Sequence, residues 1–584
     1  MSKTTHKPIP NNVEQIQKSK TLCLYFELHQ PFRLNLPDNY AELEKKLQSC
    51  FTKNLQNKNL NQKEENTIQS EDYARDFATK LENFTLGPSG SNPGFLYGNE
   101  KIFDKICTVS YLPGLTFWLQ MMEKLPNLKL TLGLSGTFLE QLENSKFDLE
   151  IVEIIKNMLK TGRMELLAET YYHSISSLFT NFDNPSELEK NEFIRQIKLH
   201  TSVLQRIFDY TPTSFRNTEL IFNPQIGQII QELNYKVQVI SKPKNTKIGQ
   251  KSVNLAILKN ENENLDKKNN QIISQNNINQ LTQNKDNKNN LKLALANFEA
   301  TMFFFFTHRN DEFKEFFRNY PDSLEVLGTD FEIFGEHNGN SIFDLWENLL
   351  LEIDNSWNFV SVSELATFEQ KEEKSLKIDL EINLDKKLET NLTNNQNQED
   401  LQTEATNSQN NSNSSEIKQN LENNEQSDNK NKLPIYQDIF DNSTTSWTNS
   451  TQSLVSWLGN SHQDHCFAKL QEIYYKLKNL DKIGKLDKIN PNSNKDSKNI
   501  EQNIMENSVQ NDKSNSEFET QFKTQIWDFF GKLSTSDNFY YMSDLPGDDG
   551  KLHAIFNAYP SPLIAFETFW RILNFFEKYL QTLE

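Results

Sequence analysis

Apolar and polar positions form two alternating kinds of segment up to about residue 365. Short apolar runs alternate with longer stretches such as FDLEIVEIIKNMLKTG, whose apolar residues recur at helical spacing. The runs predict strands at 22–28, 129–134, 164–168, 213–217, 236–240, 293–298 and 324–329, with a weaker eighth at 357–362. Strands that alternate with helices favour parallel pairing, in a barrel or in a doubly wound sheet. No GxGxxG or GxxxxGKS/T motif follows a strand, so nucleotide-binding versions lose support.

The pattern changes after residue 434, where helical periodicity predominates. The segments SLVSWLGNSHQDHCFAKLQEIYYKL, TQFKTQIWDFFGKL and SPLIAFETFWRILNFFEKYLQ carry apolar residues at helical spacing. We therefore predict a mostly helical domain at 434–584 that follows an α/β domain at 20–365.

Three polar tracts interrupt this pattern, at 243–291, 366–433 and 483–516. They are rich in Asn, Gln, Lys, Glu and Ser, so they cannot bury enough apolar surface to offset the chain entropy. We predict that these tracts and residues 1–19 are disordered. Tolerated loop expansion explains the tracts more simply than a partner-binding or aggregation-prone role.

Composition restricts the classes of binding partner and the cellular compartment of the protein. The 584 residues include 61 Lys and Arg against 80 Asp and Glu, and the net charge of −19 argues against nucleic-acid or anionic-membrane partners. No apolar stretch approaches the roughly 18 residues of a membrane span, and the N-terminus lacks the apolar region of a secretory signal. The cysteines Cys23, Cys50, Cys107 and Cys466 lie far apart without a CxxC motif. Neither a disulfide framework nor a zinc knuckle is indicated, and we expect a cytoplasmic protein.

Acidic and imidazole side chains gather directly after the predicted strands. In parallel α/β barrels the carboxyl ends of the strands carry the active site. These residues follow four different strands: His29; Glu169 and His173; Glu219; and Asp330, Glu332, Glu336 and His337.

Strand parity selects two of these carboxylates. With a period of two, Asn217 and Glu219 share one face, and so do Asp330 and Glu332 on another strand. Glu219 and Asp330 can therefore point into one cleft, although any single carboxylate here is more simply a helix cap or a surface charge. A pair of carboxylates suits glycoside hydrolysis, in which one attacks carbon and the other moves a proton. Arg216 or a histidine could keep the nucleophile ionised while burial keeps the acid protonated.

Several longer motifs strengthen this interpretation. They are LHQP (28–31), GLSGTFLEQ (133–141), ELLAETYYHS (165–174), FRNTEL (215–220), TDFEIFGEH (329–337), SW (446–447), SWLGN (456–460) and SDNFYYM (536–542). On these motifs the chain resembles glycoside hydrolase family 57, in its α-amylase-like branch. The resemblance runs from about residue 20 to 562 in the family's order, interrupted by the polar tracts. Departures are the Phe-rich FFFFTHRND stretch and the tract between the two predicted domains.

The resemblance implies a fold and roles for individual residues. The implied fold is an incomplete TIM-like (β/α)7 barrel followed by helices, which agrees with the strand count. Glu219 would be the nucleophile and Asp330 the acid/base, with no cofactor and no catalytic metal. The residues implied to line the cleft are His29, His173, Arg216, Asn217, Glu332 and His337. Trp447 and Trp457 would stack on sugar rings, although core aromatics are an equally good interpretation.

His462 and His465 could suggest a metal pair on a helix, but they are three residues apart without a third ligand nearby in the sequence. A solvated or capping role is the simpler interpretation for both. No closed set of His, Asp and Glu ligands can be assembled at a recognised spacing, so we expect activity without a metal.

The leading hypothesis is a retaining enzyme that acts on α-1,4-glucans, with starch, glycogen or maltodextrins as the partner; protein partners are left open. A 4-α-glucanotransferase would share the same fold and differ only in whether sugar or water reaches the glycosyl intermediate. A metal-dependent carbohydrate deacetylase would need an Asp with a clustered His pair, and no HxxxH occurs. A non-catalytic glucan-binding protein is the third alternative, against which the presence of both carboxylates argues.

Overall fold

A computed structural model of the chain describes residues 20–60, 80–85, 98–179, 191–242, 247–248, 251–252, 255–258, 291–297, 300, 310–318, 324–368, 444–447, 452–484, 486, 523–545 and 557–584. Of the tracts predicted to be disordered, 1–19, 369–433, 487–516 and most of 243–291 lie outside these ranges. The predictions for 366–433 and 483–516 are wrong at their first residues, because Ser363–Thr367 forms a 3₁₀ helix and Leu486 is fully buried.

The strands match the predicted positions closely and include short additions. In chain order they are β1 (Lys20–Leu28), β2 (Leu130–Leu134), β3 (Met164–Leu166), β4 (Ser214–Arg216), β5 (Val237–Ser241), β6 (Lys247–Ile248), β7 (Lys251–Ser252), β8 (Leu255–Ile257), β9 (Lys292–Ala296), β10 (Leu324–Asp330) and β11 (Trp357–Val360).

Seven parallel strands close into a barrel. Hydrogen bonding joins β10, β1, β2 and β3 in that order, and it joins β4, β5 and β9 in a second row. A parallel bridge between Ala168 and Phe215 connects β3 to β4, and the Asn297 amide donates to the Val326 carbonyl, which connects β9 to β10. The (β/α)7 barrel is thereby confirmed, and the doubly wound alternative is excluded.

Two further strands lie beside the ring. The weaker eighth strand, β11, pairs in parallel with the first residues of β1, where Lys20 lies opposite Trp357. β8 pairs antiparallel with β9. It falls inside the tract predicted to be disordered, and that prediction is wrong there because Leu255, Ala256 and Leu258 are fully buried. A short apolar patch within a polar tract was enough to form a strand.

Helices cover the outside of the barrel and make up the C-terminal region. The α-helices are α1 (Tyr40–Leu60), α2 (Asn99–Ile106), α3 (Leu112–Lys124), α4 (Gly136–Glu143), α5 (Asp148–Lys160), α6 (Glu192–Phe208), α7 (Pro224–Glu232), α8 (Asn310–Arg318), α9 (Ser341–Ile353), α10 (Ser461–Lys482), α11 (Ser536–Tyr540) and α12 (Pro562–Leu583). A π-helical turn at Cys107–Tyr111 joins α2 to α3, and 523–533 is also helical. The N-termini of these helices show ordinary capping. Asn460 and Gln463 form a capping box on α10, and the side chain of Asn223 caps α7 directly before Pro224.

The C-terminal helices share a hydrophobic core with one side of the barrel. Ile473 on α10 and Phe576 on α12 belong to the same buried cluster as Phe215 on β4 and Phe222 shortly after it. The mostly helical character of this region is as predicted, whereas the domain boundaries at 365 and 434 stay predictions. Among the described helices, none has both the length and the apolar character needed to cross a bilayer.

Two glycines leave room for side chains inside the barrel. A Cβ on Gly328 would lie 1.8 Å from the ring of Tyr25, and a Cβ on Gly133 would lie 1.9 Å from Oε2 of Glu27. Strand positions at which two side chains would collide are a typical use of glycine. The space at Gly133 is therefore what allows a carboxylate to lie inside the barrel.

Candidate functional site

The turn after β4 holds Glu219 in an unusual backbone conformation. Glu219 and Leu220 have φ values of 57° and 50°, in the left-handed region that residues with a side chain rarely adopt. Nδ2 of Asn217 closes the turn by donating to the Ile221 carbonyl at 2.8 Å and to Oγ of Ser177 at 3.0 Å. Backbone strain of this kind is found at functional sites, where the surrounding structure has to maintain it.

Two donors from the C-terminal part of the chain bind the carboxylate of Glu219. Nε1 of Trp447 donates to Oε2 at 2.5 Å, and the hydroxyl of Ser536 donates to Oε1 at 2.8 Å. Nε2 of His173 lies 3.7 Å from Oε1. Burial alone raises the pKa of Glu219, but the interactions with His173 and Trp447 outweigh it and the pKa is lowered. Glu219 is therefore held ionised, as a carboxylate nucleophile has to be.

Asp330 has the opposite electrostatic environment at the end of β10. Burial raises its pKa to about 7, and the nearby charges of Glu219, Glu27 and Asp537 act in the same direction, whereas Arg216 opposes them. A carboxyl group with this pKa is partly protonated at neutral pH, which suits a proton donor.

A pocket opens at this end of the barrel. The space between its walls is about 430 Å³, part of which is open to solvent. Its lining combines the ionisable groups with apolar walls and comprises Tyr25, Glu27, Arg216, Leu220, Ser241, Ala296, Gly328, Thr329, Asp330 and Trp447. A small polar ligand could therefore reach the proposed proton donor and the ring of Trp447 together.

Two histidines lie face to face beside Glu219. The rings of His29 and His173 are stacked with centroids 3.9 Å apart and an angle of 18° between their planes. Nδ1 of His29 lies 2.8 Å from Oγ of Ser135, and Nε2 lies 2.9 Å from Oδ2 of Asp537. His29 thus connects the end of β1 to α11 of the C-terminal region.

A cluster of ionisable side chains, formed by Arg216, Glu27 and Glu169, lies next to the histidine pair. Nη1 of Arg216 is 3.4 Å from Oε2 of Glu27, and Nδ1 of His173 is 3.2 Å from Oε2 of Glu169. Both carboxylates are buried, and burial raises the pKa of Glu169 well above its ordinary value while lowering that of His173. Glu27 is compensated by Arg216, whereas Glu169 has no basic side chain in contact other than His173 among the described residues.

Glu27, Glu169 and His173 lie close enough together to hold a metal ion, in the part of the chain that the structure describes. The prediction that no ligand set can be assembled missed this group, because the fold joins ligands from two strands that no sequence spacing connects. The chemistry of the set fits a metal poorly, since the guanidinium of Arg216 already supplies the positive charge beside Glu27.

Glu332 forms a separate hydrogen-bonded group next to Asp330. It accepts from Nε2 of Gln30 at 2.9 Å and from the hydroxyl of Tyr111. Burial and the charge of Asp330 raise the pKa of Glu332 to about 8. Glu332 lies close to the proposed proton donor and can compete with Asp330 for the proton.

The other predicted site residues have more varied positions. Arg216 and Trp447 line the pocket, and the side-chain amide of Asn217 donates to the Ile221 carbonyl and to Oγ of Ser177. His337 lies in the loop after β10, where burial lowers its pKa to about 4 and its amide donates to the Glu332 carbonyl. Sugar binding by these residues stays a prediction.

Trp457 requires a correction. Its side chain is fully buried in the core shared by the barrel and the C-terminal helices. A ring without an exposed face cannot stack on a sugar, so the core interpretation of Trp457 holds. His462 and His465 lie in the first turns of α10, where His462 stacks on Phe566 and Nδ1 of His465 contacts the Ser461 carbonyl.

Three side chains of the site were missed from the sequence. Glu27 is the single charge inside the strand KTLCLYFEL after Lys20, and that isolated charge was the available signal. Ser536 and Asp537 begin the SDNFYYM motif, whose resemblance to the family implies no role for either residue. Their contacts with Glu219 and His29 join residues more than 300 positions apart, and no local pattern encodes such contacts.

Comparison with known proteins identifies related sequences. Residues 23–381 match the family model described as glycosyl hydrolase family 57. A protein of Methanocaldococcus jannaschii named "Putative alpha-amylase" is 24% identical over 500 residues, which are 83% of this chain and 78% of that protein. An alpha-amylase of Pyrococcus horikoshii is 24% identical over 159 residues, which are 27% of this chain and 22% of that protein.

A solved structure is also similar, that of a branching enzyme of the same family type from Pyrococcus horikoshii. It is 11% identical, covers 97% of both chains and has a TM-score of 0.44. A score this low does not establish the fold. The barrel fold follows from the strand pairing of the chain itself.

Proposed function

The chain belongs to glycosyl hydrolase family 57, and on this premise we propose that it is a retaining glycoside hydrolase that cleaves α-1,4-glucosidic bonds of starch, glycogen or maltodextrins. The observation that carries the proposal is the opposite pKa shift of two partly buried carboxyls: the pKa of Glu219 is lowered, and that of Asp330 is raised to about 7. Environments that push two carboxyl pKa values apart are characteristic of acid and nucleophile pairs.

The proposed reaction has two steps. Glu219 attacks the anomeric carbon while Asp330 gives its proton to the departing glycosidic oxygen, so that a covalent glycosyl-enzyme forms. Asp330, now ionised, then takes a proton from a water molecule. The oxygen of that water attacks the anomeric carbon, and the bond from this carbon to Glu219 breaks. The donors Trp447 and Ser536 orient the carboxylate of Glu219 as it attacks in the first step and receive it again when it is released in the second.

Arg216 has a supporting role in this scheme. Its guanidinium lies within the pocket lining and lowers the pKa of Asp330, in opposition to the burial that raises it. The charge of Arg216 thus keeps the proton on Asp330 transferable at neutral pH. A carboxyl that stayed protonated far above pH 7 would be less available as the base of the second step.

The test is hydrolysis of soluble starch by the wild type, by Glu219→Gln and by Glu165→Gln. Glu165 is a buried carboxyl on β3 that accepts from the Ser363 amide, so its variant controls for the loss of a buried carboxyl elsewhere. We expect reducing ends to appear with the wild type and with the control, but not with Glu219→Gln. NMR of the first products should show the α-anomer, the outcome of retention.

Other outcomes identify the alternatives. Conversion of maltoheptaose into longer and shorter chains, without a matching increase in reducing ends, would indicate a 4-α-glucanotransferase. Binding of starch with no turnover in any variant would indicate a glucan-binding protein. A β-anomeric first product would show inversion and remove Glu219 from the nucleophile role.

A cytoplasmic location is also part of the proposal. Cys23, Cys107 and Cys466 are free and buried, which suits a reducing compartment. Fractionation of cells that produce the protein would test it, and recovery outside the cytoplasm would contradict it.

A further inference from the structure

The hydrogen-bonding possibilities of His173 are restricted by what surrounds it. Nδ1 lies 3.2 Å from Oε2 of Glu169, and Nε2 lies 3.7 Å from Oε1 of Glu219, so both ring nitrogens face carboxyl groups. The backbone of His173 is left-handed, with a φ of 48°, and its carbonyl accepts from the Ser536 amide at 2.9 Å. The ring is therefore held in one place between the two carboxyls.

Three arrangements of the protons are conceivable. A doubly protonated ring could donate to both carboxyls, but it would be a buried cation stacked on His29 and close to Arg216. A neutral ring protonated on Nδ1 would direct the lone pair of Nε2 at the ionised Glu219, which is repulsive. A neutral ring protonated on Nε2 would direct its N–H at the carboxylate of Glu219, 3.7 Å away, and its Nδ1 would then need a donor.

Glu169 is the group that can supply that donor. It is completely buried, no N–H or O–H group among the described residues donates to its Oε1, and His173 is the only basic group in contact with its carboxyl in that part of the chain. Glu27, the carboxyl nearby, is compensated by Arg216, and both its negative charge and its hydrogen-bonding contact with Glu169 favour the protonated form of Glu169. An uncompensated carboxylate in such a place is much less stable than a carboxylic acid.

We propose that Glu169 is a protonated positioning residue whose carboxyl donates to Nδ1 of His173 and thereby fixes the Nε2–H of His173 toward Glu219. The inference rests on the proposed function only in that Glu219 is the nucleophile. The network keeps a neutral donor beside Glu219 without adding a buried cation, and it leaves one negative charge on Glu27 for Arg216.

The decisive measurement is the tautomer of His173. In protein labelled with ¹⁵N-histidine, long-range ¹H–¹⁵N spectra distinguish a protonated ring nitrogen from an unprotonated one, and His173→Gln assigns the signal. We expect His173 to be protonated on Nε2 alone at pH 7 in the wild type. Protonation of Nδ1 alone, or of both nitrogens, would overturn the proposal. This readout needs no substrate, so it is informative even if starch hydrolysis is absent and the proposed function fails.

Variants of Glu169 extend the test to activity. Glu169→Gln keeps a donor, because its amide can bond to Nδ1, whereas Glu169→Leu removes it. We expect Glu169→Leu to lower kcat about ten- to hundredfold, the loss expected when the Nε2–H of His173 is no longer held toward the charged Glu219. KM should change little, since Glu169 is not part of the pocket lining. Glu169→Gln should recover much of the lost kcat and keep the wild-type tautomer.

Two controls distinguish this role from a general loss of stability and from metal binding. Glu165→Leu removes a buried carboxyl from the neighbouring strand β3 and should leave the His173 tautomer unchanged, even if the protein is less stable. A titration with Zn²⁺ alone should not alter the His173 signals selectively. A selective, stoichiometric change would show instead that Glu27, Glu169 and His173 bind a metal, and it would overturn the proposal.

Discussion

The turn after β4 and the end of β10 each carry a partly buried carboxyl, yet the two carboxyls have different surroundings. Glu219 accepts hydrogen bonds from Trp447 and Ser536, both of which come from the C-terminal part of the chain. The environment of Asp330 is dominated by burial and by other carboxyls, and its pKa rises to about 7. The barrel thus supplies two similar groups, and their surroundings lower the pKa of Glu219 and raise the pKa of Asp330.

The largest effect on activity is expected from removal of the carboxyl of Glu219, which follows β4. Glu219→Gly should lower turnover of starch roughly 10⁴-fold or more, because Glu219 supplies the carboxylate that attacks the anomeric carbon. Azide is small enough to enter the space left by the side chain, so it should restore glycosyl transfer from an activated glycoside with inverted stereochemistry. Measurement of the azide-dependent rate and of the product anomer tests this prediction.

The control is Glu169→Leu, which leaves Glu219 in place and should show no dependence on azide. Substantial starch hydrolysis by Glu219→Gly without azide would contradict the role of Glu219 as nucleophile.

The next largest effect on activity is expected from removal of the carboxyl of Asp330, at the end of β10, and its size should depend on the leaving group of the substrate. Asp330→Ala should lose about 10²–10⁴-fold on starch, whose leaving oxygen needs a proton. It should lose much less in the glycosylation step on an activated aryl α-glycoside, whose leaving group departs without a proton. Comparison of the two substrates by rapid-quench kinetics measures the difference.

Glu332 is the rival for this role because it lies beside Asp330 and has a pKa raised to about 8. Glu332→Ala should lower activity on both substrates by similar factors, through the loss of its contacts with Tyr111 and Gln30. If Glu332→Ala instead shows the dependence on the leaving group, the assignment of Asp330 is wrong.

A smaller effect is expected when one donor to Glu219 is removed. Trp447→Phe keeps an aromatic ring but loses the Nε1 donor, so the pKa of Glu219 should rise and kcat should fall about tenfold. Glu219 acts when ionised, so the acidic limb of the pH profile of kcat/KM should move to higher pH. Asp330 acts when protonated, so activity should fall as the pH rises through about 7 in both proteins.

The matched control is Trp457→Phe, which changes a tryptophan in the core and should leave the acidic limb where it is. A limb that moves equally in both variants would show that Trp447 acts through stability rather than through Glu219.

The smallest effect is expected from chelation. Starch hydrolysis should survive exhaustive treatment with EDTA, because Arg216 rather than a metal compensates Glu27 in the group of potential ligands that the described residues contain. Activity is measured after dialysis, with and without added Zn²⁺. Loss of activity that Zn²⁺ restores would contradict the explanation given for the pKa values of Glu219 and Asp330, since the charge of a bound metal would then shift both pKa values.

Local patterns in the sequence were enough to specify some parts of the molecule. Apolar runs predicted seven barrel strands, and the polar residues after them included Glu219, Asp330, His29 and His173. Periodicity reports which face of an element is buried, so it finds strands and the residues at their ends. It failed at β8, where the apolar patch at Leu255–Ile257 is shorter than the polar tract that surrounds it.

The differences between individual side chains of the site arise only in three dimensions. Trp447 and Trp457 are ten positions apart in similar sequence, yet one donates to Glu219 and the other is sealed in the core. The contrasting pKa values of Glu219 and Asp330 likewise arise from burial and from groups brought together across the barrel. The physical reason is that desolvation and Coulomb interactions depend on distance in space, which a local pattern of apolar and polar residues does not encode.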